Sequence, residues 1–251
     1  MDFGGSIMTD IQKLAGMIDE ASYIVFFGGA GVSTESGIPD FRSADGLYHQ
    51  KRVIPPETIL SYSFFIKEPA LFYQFYKENL LAPKAQPNAA HVALAQLEKE
   101  GKLRCVVTQN IDNLHQLAGS KAVCELHGST HRNYCMRCGK TYDGIDFILA
   151  SKAEPKCACG GMIRPDVVLY EEGLDPQVTQ TAVNNIQASD LLIIGGTSLS
   201  VYPAAYYAQL SRGKLVIINR DPTQLDQSAD LVIREPIGKT LAQVMEARKT
   251  A

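Results

Sequence analysis

The sequence predicts an α/β protein: a doubly wound parallel sheet with a smaller lobe formed by two insertions. Three observations lead there. Near-continuous apolar runs recur along the chain, as expected of strands buried on both faces. Helical patterns lie between several of them, which is the alternation of a parallel sheet. Two long segments break that alternation, one rich in aromatics and one holding a cysteine cluster.

The apolar runs are residues 23–27, 103–107, 122–126, 191–194, 215–218 and 231–233. Residues 88–99 show apolar side chains at helical spacing, and Gly101 suits the cap that ends such a helix. Residues 203–212 and 236–247 each open on a proline, which fits a first helical turn. The sheet domain is therefore assigned to residues 8–43, 88–130 and 166–251. Residues 44–87, with Phe64, Phe65, Phe72, Tyr73, Phe75 and Tyr76, form a helical insertion, and residues 131–165 a zinc-ribbon insertion. A cleft between the two lobes is the expected ligand site.

The 251 residues are 45% hydrophobic, enough for a packed core and against wholesale disorder. The formal net charge of −3 gives no bulk attraction for nucleic acid, so direct nucleic-acid binding is not expected. No apolar run reaches the roughly 18 residues of a membrane span. The N-terminal residues lack a basic stretch followed by an apolar one, so no secretory signal is read and a cytoplasmic location is expected.

Six cysteines occur: Cys105, Cys124, Cys135, Cys138, Cys157 and Cys159. Cys135 and Cys138 have the two-residue spacing of a zinc knuckle. Cys157 and Cys159 are one residue closer, and Gly160 and Gly161 supply a tight turn. Four thiolates would fill a tetrahedron and leave no open position, so one structural zinc ion is expected. The bland alternative is four reduced thiols that happen to be near each other. Arg132, Arg137, Lys140 and Lys152 raise the possibility of a nucleic-acid ribbon, but Asp143, Asp146 and Glu154 offset their charge. Cys105 and Cys124 fall in apolar strands and read as core.

Gly29-Ala30-Gly31 follows the first strand as a phosphate-cradling turn does. The pattern then departs from the dinucleotide fingerprint. Thr34 stands where a third glycine would, and Pro39, Asp40, Phe41 and Arg42 break any helix. The acid that would hold a ribose about twenty residues on is missing. Asn219, after residues 215–218, is a substitute. A loop with Phe41 and Arg42 suits an enzyme that breaks the nicotinamide–ribose bond: the ring shields the sugar and the guanidinium holds phosphate. The alternative is that Asp40, Phe41 and Arg42 only pin the loop.

Residues 103–107 run into Thr108, Gln109, Asn110, Ile111 and Asp112, at a strand's carboxyl end where such sheets bind ligands. Asn110 or Asp112 can bond a carboxamide, and Ile111 can pack on a flat ring. Asp112 can equally cap a helix over 113–118. Among the histidines, His127 ends a strand before Gly128 and suits general-base work near neutral pH. His115 reads as a satisfied core or capping residue, His91 as part of an amphipathic helix, and His49 and His131 as loop residues.

Taken together, GAGVSTESGIPDFRSADGLY, TQNID, ELHGS, the paired cysteines, RPDVVLYEEGL, GTSLSVYPAA and VIINRDPT occur in the order seen in the sirtuins. The chain resembles that family of NAD-dependent protein lysine deacylases over nearly its whole length, and most of all its bacterial and archaeal catalytic-core members. The resemblance implies NAD between the lobes. Gly29, Ala30, Gly31, Thr34, Asp40, Phe41, Arg42, Gln109, Ile111, Gly196, Thr197, Ser198, Asn219, Arg220 and Ile237 stand at its matching positions. Asn110 and Asp112 would orient nicotinamide and the ribose. The acyl oxygen would attack C1′ as nicotinamide leaves, and His127 would act as general base on the ribose hydroxyls. Free lysine, nicotinamide and O-acetyl-ADP-ribose follow, with nicotinamide also expected to inhibit. Zinc on Cys135, Cys138, Cys157 and Cys159 would be structural.

Acetylated peptide would enter as an added strand between two edges, 168–172 (Val168, Leu169, Tyr170, Glu171) and 199–202 (Val201, Tyr202). Glu171 departs from the family's usual glycine, which suggests selection for basic flanks or crowding. Gly28 departs from its frequent threonine, so a phosphate-side hydroxyl is missing. Relatives that remove acidic acyl groups carry Tyr-x-x-Arg, for which the counterpart here is Tyr76-Lys77-Glu78-Asn79. With no arginine, a neutral acyl group is expected. Competing readings are a mono-ADP-ribosyltransferase, a deacylase preferring longer neutral acyl chains, and a zinc-ribbon module that merely senses NAD.

Overall fold

The computed structural model describes residues 8–40 and 53–250. Phe41 and Arg42, and His49, lie outside the described residues.

Helix α1 (Asp10–Glu20) opens on a reciprocal cap in which Thr9 accepts from the Gln12 amide and Gln12 accepts from that of Thr9. It buries Leu14 and Ile18 and leads into β1 (Ile24–Gly28). Strands β2 (Leu103–Thr108) and β3 (Val123–Glu125) follow, separated by α6 (Leu114–Leu117). Strands β7 (Leu191–Gly195), β8 (Lys214–Ile218) and β9 (Leu231–Ile233) complete the large sheet. Its order is β3-β2-β1-β7-β8-β9, with every pairing parallel. All six apolar runs are thus strands of one sheet.

The two faces follow the strand period of two. Ile24, Phe26, Leu191, Ile193, Val216 and Ile218 enter the core under α1, α5 (Ala89–Lys99) and α10 (Ile237–Thr250). Val25, Phe27, Leu192, Ile194 and Ile217 enter the opposite core under α8 (Pro176–Ala188) and α9 (Ala204–Ala208). Gly101 has φ +75° directly after the Glu100 cap of α5, as expected. The helix expected over 203–212 is shorter: Pro203 is its N-cap, and the Ser211 hydroxyl takes the Gly213 amide to turn the chain into β8. Helix α8 carries the signal of Asp175 capping two amides ahead of Pro176, which the apolar pattern alone does not reveal.

The smaller lobe holds a three-stranded antiparallel sheet ordered β5-β4-β6: β4 (Gly128–Cys135), β5 (Thr141–Asp143) and β6 (Ile163–Val167). Its central strand β4 begins at Gly128, and its outer strand β6 ends at Val167. Helix α7 (Asp146–Ala150) completes it. The other insertion supplies α2 (Pro56–Ile59), α3 (Tyr62–Lys67) and α4 (Pro69–Asn79). Phe65, Phe72, Tyr73, Phe75 and Tyr76 pack with Ile145, Ile148, Val167 and Leu169. The two insertions therefore share one core, whose aromatic pairs include Phe65 edge-on to Phe72 at 4.8 Å. No helix among the described residues is long and apolar enough to cross a membrane.

Candidate active site

A cleft of about 1090 Å³ opens at the carboxyl ends of the parallel strands, against the smaller lobe. From β1 the chain proceeds one way through β2 and β3, and from β7 the other way through β8 and β9. The cleft sits at that reversal, the place where open parallel sheets bind ligands.

Two glycine turns meet there. Gly31 N–H donates to Gly196 O at 2.8 Å, and Gly29 N–H to Gly195 O at 3.3 Å. A Cβ on Gly31 would lie 2.8 Å from Gly196 Cα, so only glycine permits the approach. This corrects the sequence reading in one respect: the amides of Gly29 and Gly31 serve the contact with the β7 loop. The turn also continues into two short 3₁₀ turns (Ala30–Val32 and Thr34–Ser36) instead of a long helix. Thr34 Oγ1 donates to Gly31 O, closing the position where a third glycine was lacking. Gly28 has no room for a hydroxyl-bearing side chain, since its Cβ would lie 2.6 Å from the Phe26 ring.

Ser33, which the sequence analysis did not single out, is the hub of the polar wall. It is buried, donates to Asp112 Oδ2 at 2.6 Å and accepts from Asn110 Nδ2 at 3.0 Å. Asp112 Oδ1 accepts from Leu114 N–H, the first amide of α6, and the residue lines the cleft as well. The only sequence signal for Ser33 is its place two residues beyond Gly31. Gln109 donates through Nε2 to Thr197 Oγ1 at 3.1 Å, tying the β2 loop to the β7 loop. Asn219 leaves β8 and donates to Asp221 O; with Arg220, and with Ile237 at the start of α10, it forms the far wall.

His127 Nδ1 lies 2.9 Å from Gln109 O. A carbonyl can only accept, so Nδ1 carries the proton, and in the neutral ring Nε2 holds the lone pair of a base. Gly128, at φ +75°, is irreplaceable beside it, because its Cβ would stand 1.9 Å from Asp166 O. His127 lines the cleft. His115 does not, and it is not a satisfied core residue either. It is fully buried with neither ring nitrogen hydrogen-bonded, its ring 4.7 Å from that of His91. Burial first, and the neighbouring His91 second, push its pKa down to about 3. His91 accepts the Asn88 amide at Nδ1, which completes the cap of α5.

The remaining wall comes from Glu78, Asn79, Leu80, Leu81 and Ala82 and from residues 168–172. Tyr76 is not part of it: the ring is sealed in the aromatic core, and burial raises its hydroxyl's pKa well above the usual value. Residues 168–172 and 199–202 are not strands here, although Tyr170 forms an isolated bridge with Ser61. Leu169 N–H donates to Glu172 Oε2, and Tyr170 N–H to Leu60 O, so these groups already have partners. Leu199 O likewise accepts from Gln224. Val201 and Tyr202 face Val168, Leu169, Tyr170 and Glu171 across the cleft mouth. Every described residue expected to touch cofactor or peptide, including Ala30, Asp40, Ile111 and Ser198, lines this one cleft.

Away from the cleft, the sulfurs of Cys135, Cys138, Cys157 and Cys159 lie within 4.8 Å of one another. Cys135 Sγ is 3.5 Å from Cys159 Sγ, and Cys138 Sγ is 3.7 Å from Cys157 Sγ. Tetrahedral zinc with bonds of about 2.3 Å sets its sulfurs about 3.8 Å apart. Arg137 N–H donates to Cys135 Sγ, softening thiolate charge. Four thiol ligands with no open position fit one structural zinc ion. Cys105 and Cys124 are separate, buried and side by side on β2 and β3.

Residues 29–203 match the Sir2 family. The NAD-dependent protein deacetylase of Clostridium perfringens (strain 13 / Type A) is 57% identical over 244 residues, covering 94% of this chain and 98% of its own. A solved structure of Sir2 with p53 peptide and NAD+ superposes with a TM-score of 0.85 at 39% identity, over 96% of this chain and 99% of that one. Sir2 bound to acetylated peptide gives a TM-score of 0.83 at 37% identity, over 96% and 99%.

Proposed function

The chain belongs to the Sir2 family, and on that premise we infer that it is an NAD-dependent protein deacetylase. It moves the acetyl group of a lysine side chain to ADP-ribose, releasing nicotinamide and O-acetyl-ADP-ribose and leaving the free amine. The observation that carries this reading is the cleft at the sheet's reversal, where His127 is held by Gln109 O beside the Asn110–Ser33–Asp112 string.

NAD, when bound, supplies the acceptor sugar and the nicotinamide leaving group. The glycine turns, Thr34, Thr197, Ser198, Asn219, Arg220 and Ile237 would hold it, the close glycine contact keeping the floor low enough for a dinucleotide. Asn110 and Asp112 would bond the carboxamide and the ribose side, each fixed by Ser33 before substrate arrives. His127 would take a ribose hydroxyl proton at Nε2, since its Nδ1 proton is committed to Gln109 O. Nicotinamide would rebind against Asn110 and Asp112 and inhibit. The peptide would lie across the mouth, between residues 168–172 and 199–202. Among the described lining residues the one arginine or lysine is Arg220, on the far wall assigned to NAD, and Glu78 stands on the wall from α4; the lack of a cation on that wall supports a neutral acyl group. The net charge of −3 supports protein, not nucleic acid, as partner. Reduced, metal-binding cysteines support a cytoplasmic setting.

The His127→Tyr variant tests the assignment. Acetyl-peptide-dependent nicotinamide release should fall at least about 100-fold, the range for losing a general base, with zinc content and circular dichroism unchanged. Retained turnover in the folded variant would remove His127 from its role.

A further inference from the structure

We propose that Glu171 is a positioning residue: it latches the substrate-facing loop of residues 168–172 onto the first turn of α3, and so sets affinity for the peptide. The proposal rests on the deacetylase reading of the cleft. Glu171 holds φ +78°, a left-handed conformation that favours glycine, so something must keep a glutamate there. Its carboxylate accepts from Ser63 N–H at 2.9 Å and from Ser63 Oγ at 2.8 Å.

The hydrogen bonds of α3 show what this does. The first amides of a helix have no partner within it. Tyr62 N–H donates to Tyr170 O at 3.0 Å, Ser63 N–H to Glu171, and Phe64 N–H to the Ser61 hydroxyl. Two of these three acceptors come from the loop. Tyr170 N–H returns a bond to Leu60 O. On its other side the loop is held by Glu172, which takes both Arg164 Nη1 and Nη2 and the Leu169 amide. Glu172 therefore anchors the loop to its own sheet, and Glu171 joins it to the helical insertion. A carboxylate so engaged does not serve as a free anion reading the flanks of the peptide. The expected selection for basic flanks is replaced by control of the loop that the peptide meets.

Steady-state nicotinamide release would be measured for E171A, E171Q, S63A and the E171A/S63A pair. Two acetyl-lysine peptides would be used, one with neutral and one with arginine flanks. E171A should raise peptide KM about fivefold for both peptides alike, while KM for NAD stays within about twofold. S63A should raise it less, since the Ser63 amide remains. The double variant should be no worse than E171A, and E171Q should recover part of the loss because its amide oxygen still accepts. An unchanged peptide KM in E171A overturns the latch. So does a rise confined to the arginine-flanked peptide, or strictly additive effects of the two substitutions. Should E171A not fold, S63A and E171Q decide the same question through the same KM split. If the wild-type protein released no nicotinamide with acetyl peptide, the deacetylase reading would fail; an active wild type with an indifferent E171A fails the latch alone.

Discussion

Above pH 7 His115 is a neutral ring wedged against His91 and Phe26. Its pKa is near 3 in the folded chain, against an ordinary 6.5. Between those values the unfolded chain takes a proton that the folded chain refuses, so stability is whole above 6.5 and lost as pH falls toward 3. Well below 6.5 the loss from this one group runs at about 1.4 kcal/mol per pH unit. Urea denaturation at pH 7, 6, 5 and 4.5 should show His115→Leu losing stability less steeply than wild type by about that slope. Parallel slopes would mean the ring is protonated, or hydrated, in the native state. Of this residue's role, only its membership of the core is legible in the sequence. Its lack of partners depends on α5 and α6 packing together, which local pattern does not encode. Ser33 was missed for a related reason: a serine beyond a glycine turn is ordinary until Asn110 and Asp112, remote in sequence, arrive on either side of it. His127 was legible because the end of a parallel strand is a place, readable from local hydrophobicity, where ligands bind.

The antiparallel element β5-β4-β6 carries the zinc site, and its order should depend on the ion. Cys135 closes β4, and Cys157 and Cys159 precede β6, so the four thiolates tie together the ends of paired strands. The lobe's core is shared with α2 to α4, and α4 reaches the cleft wall at Glu78 and Asn79. Stripping the ion with a chelator should expose the amides of β4 and β6 to hydrogen exchange before those of β1, β2, β7 and β8. Peptide-dependent turnover should disappear in step, and zinc, not magnesium, should restore both. A metal-free chain with full turnover and unaltered exchange would contradict a structural role. The cysteine spacing announced this element, yet the extents of β4 and β6 did not show. Those strands, GSTHRNYC and IRPDV, lack the continuous apolar run of the large sheet, and their pairing is fixed by the fold around them. Glu172 illustrates the point at closer range. Burial would raise its pKa, but the Arg164 hydrogen bonds and the Leu169 amide outweigh that and hold it below the usual carboxylate range. Arg164 and Glu172 face each other only once residues 163–172 have turned back on themselves.

Across the whole molecule, the parallel sheet was the most legible feature. Its central strands β1 and β7 are buried on both faces, so each is apolar without interruption. The order β3-β2-β1-β7-β8-β9 was not legible in the same way; it depends on which helix covers which face of the sheet. Helix α10 secures the last crossover to the first helix, with Arg248 paired to Asp19 of α1 and to Glu100 after α5. That closure brings Ile237, at the start of α10, to the cleft beside Asn219 and the glycine turns. The resulting cleft is a place to cut a dinucleotide, with His127 held ready by Gln109. The most direct test is to incubate the zinc-loaded chain with NAD and an acetyl-lysine peptide and weigh the products. Equimolar nicotinamide, deacetylated peptide and O-acetyl-ADP-ribose are expected. Intact NAD beside intact acetyl peptide, or ADP-ribose attached to protein with the acetyl group still in place, would contradict the account.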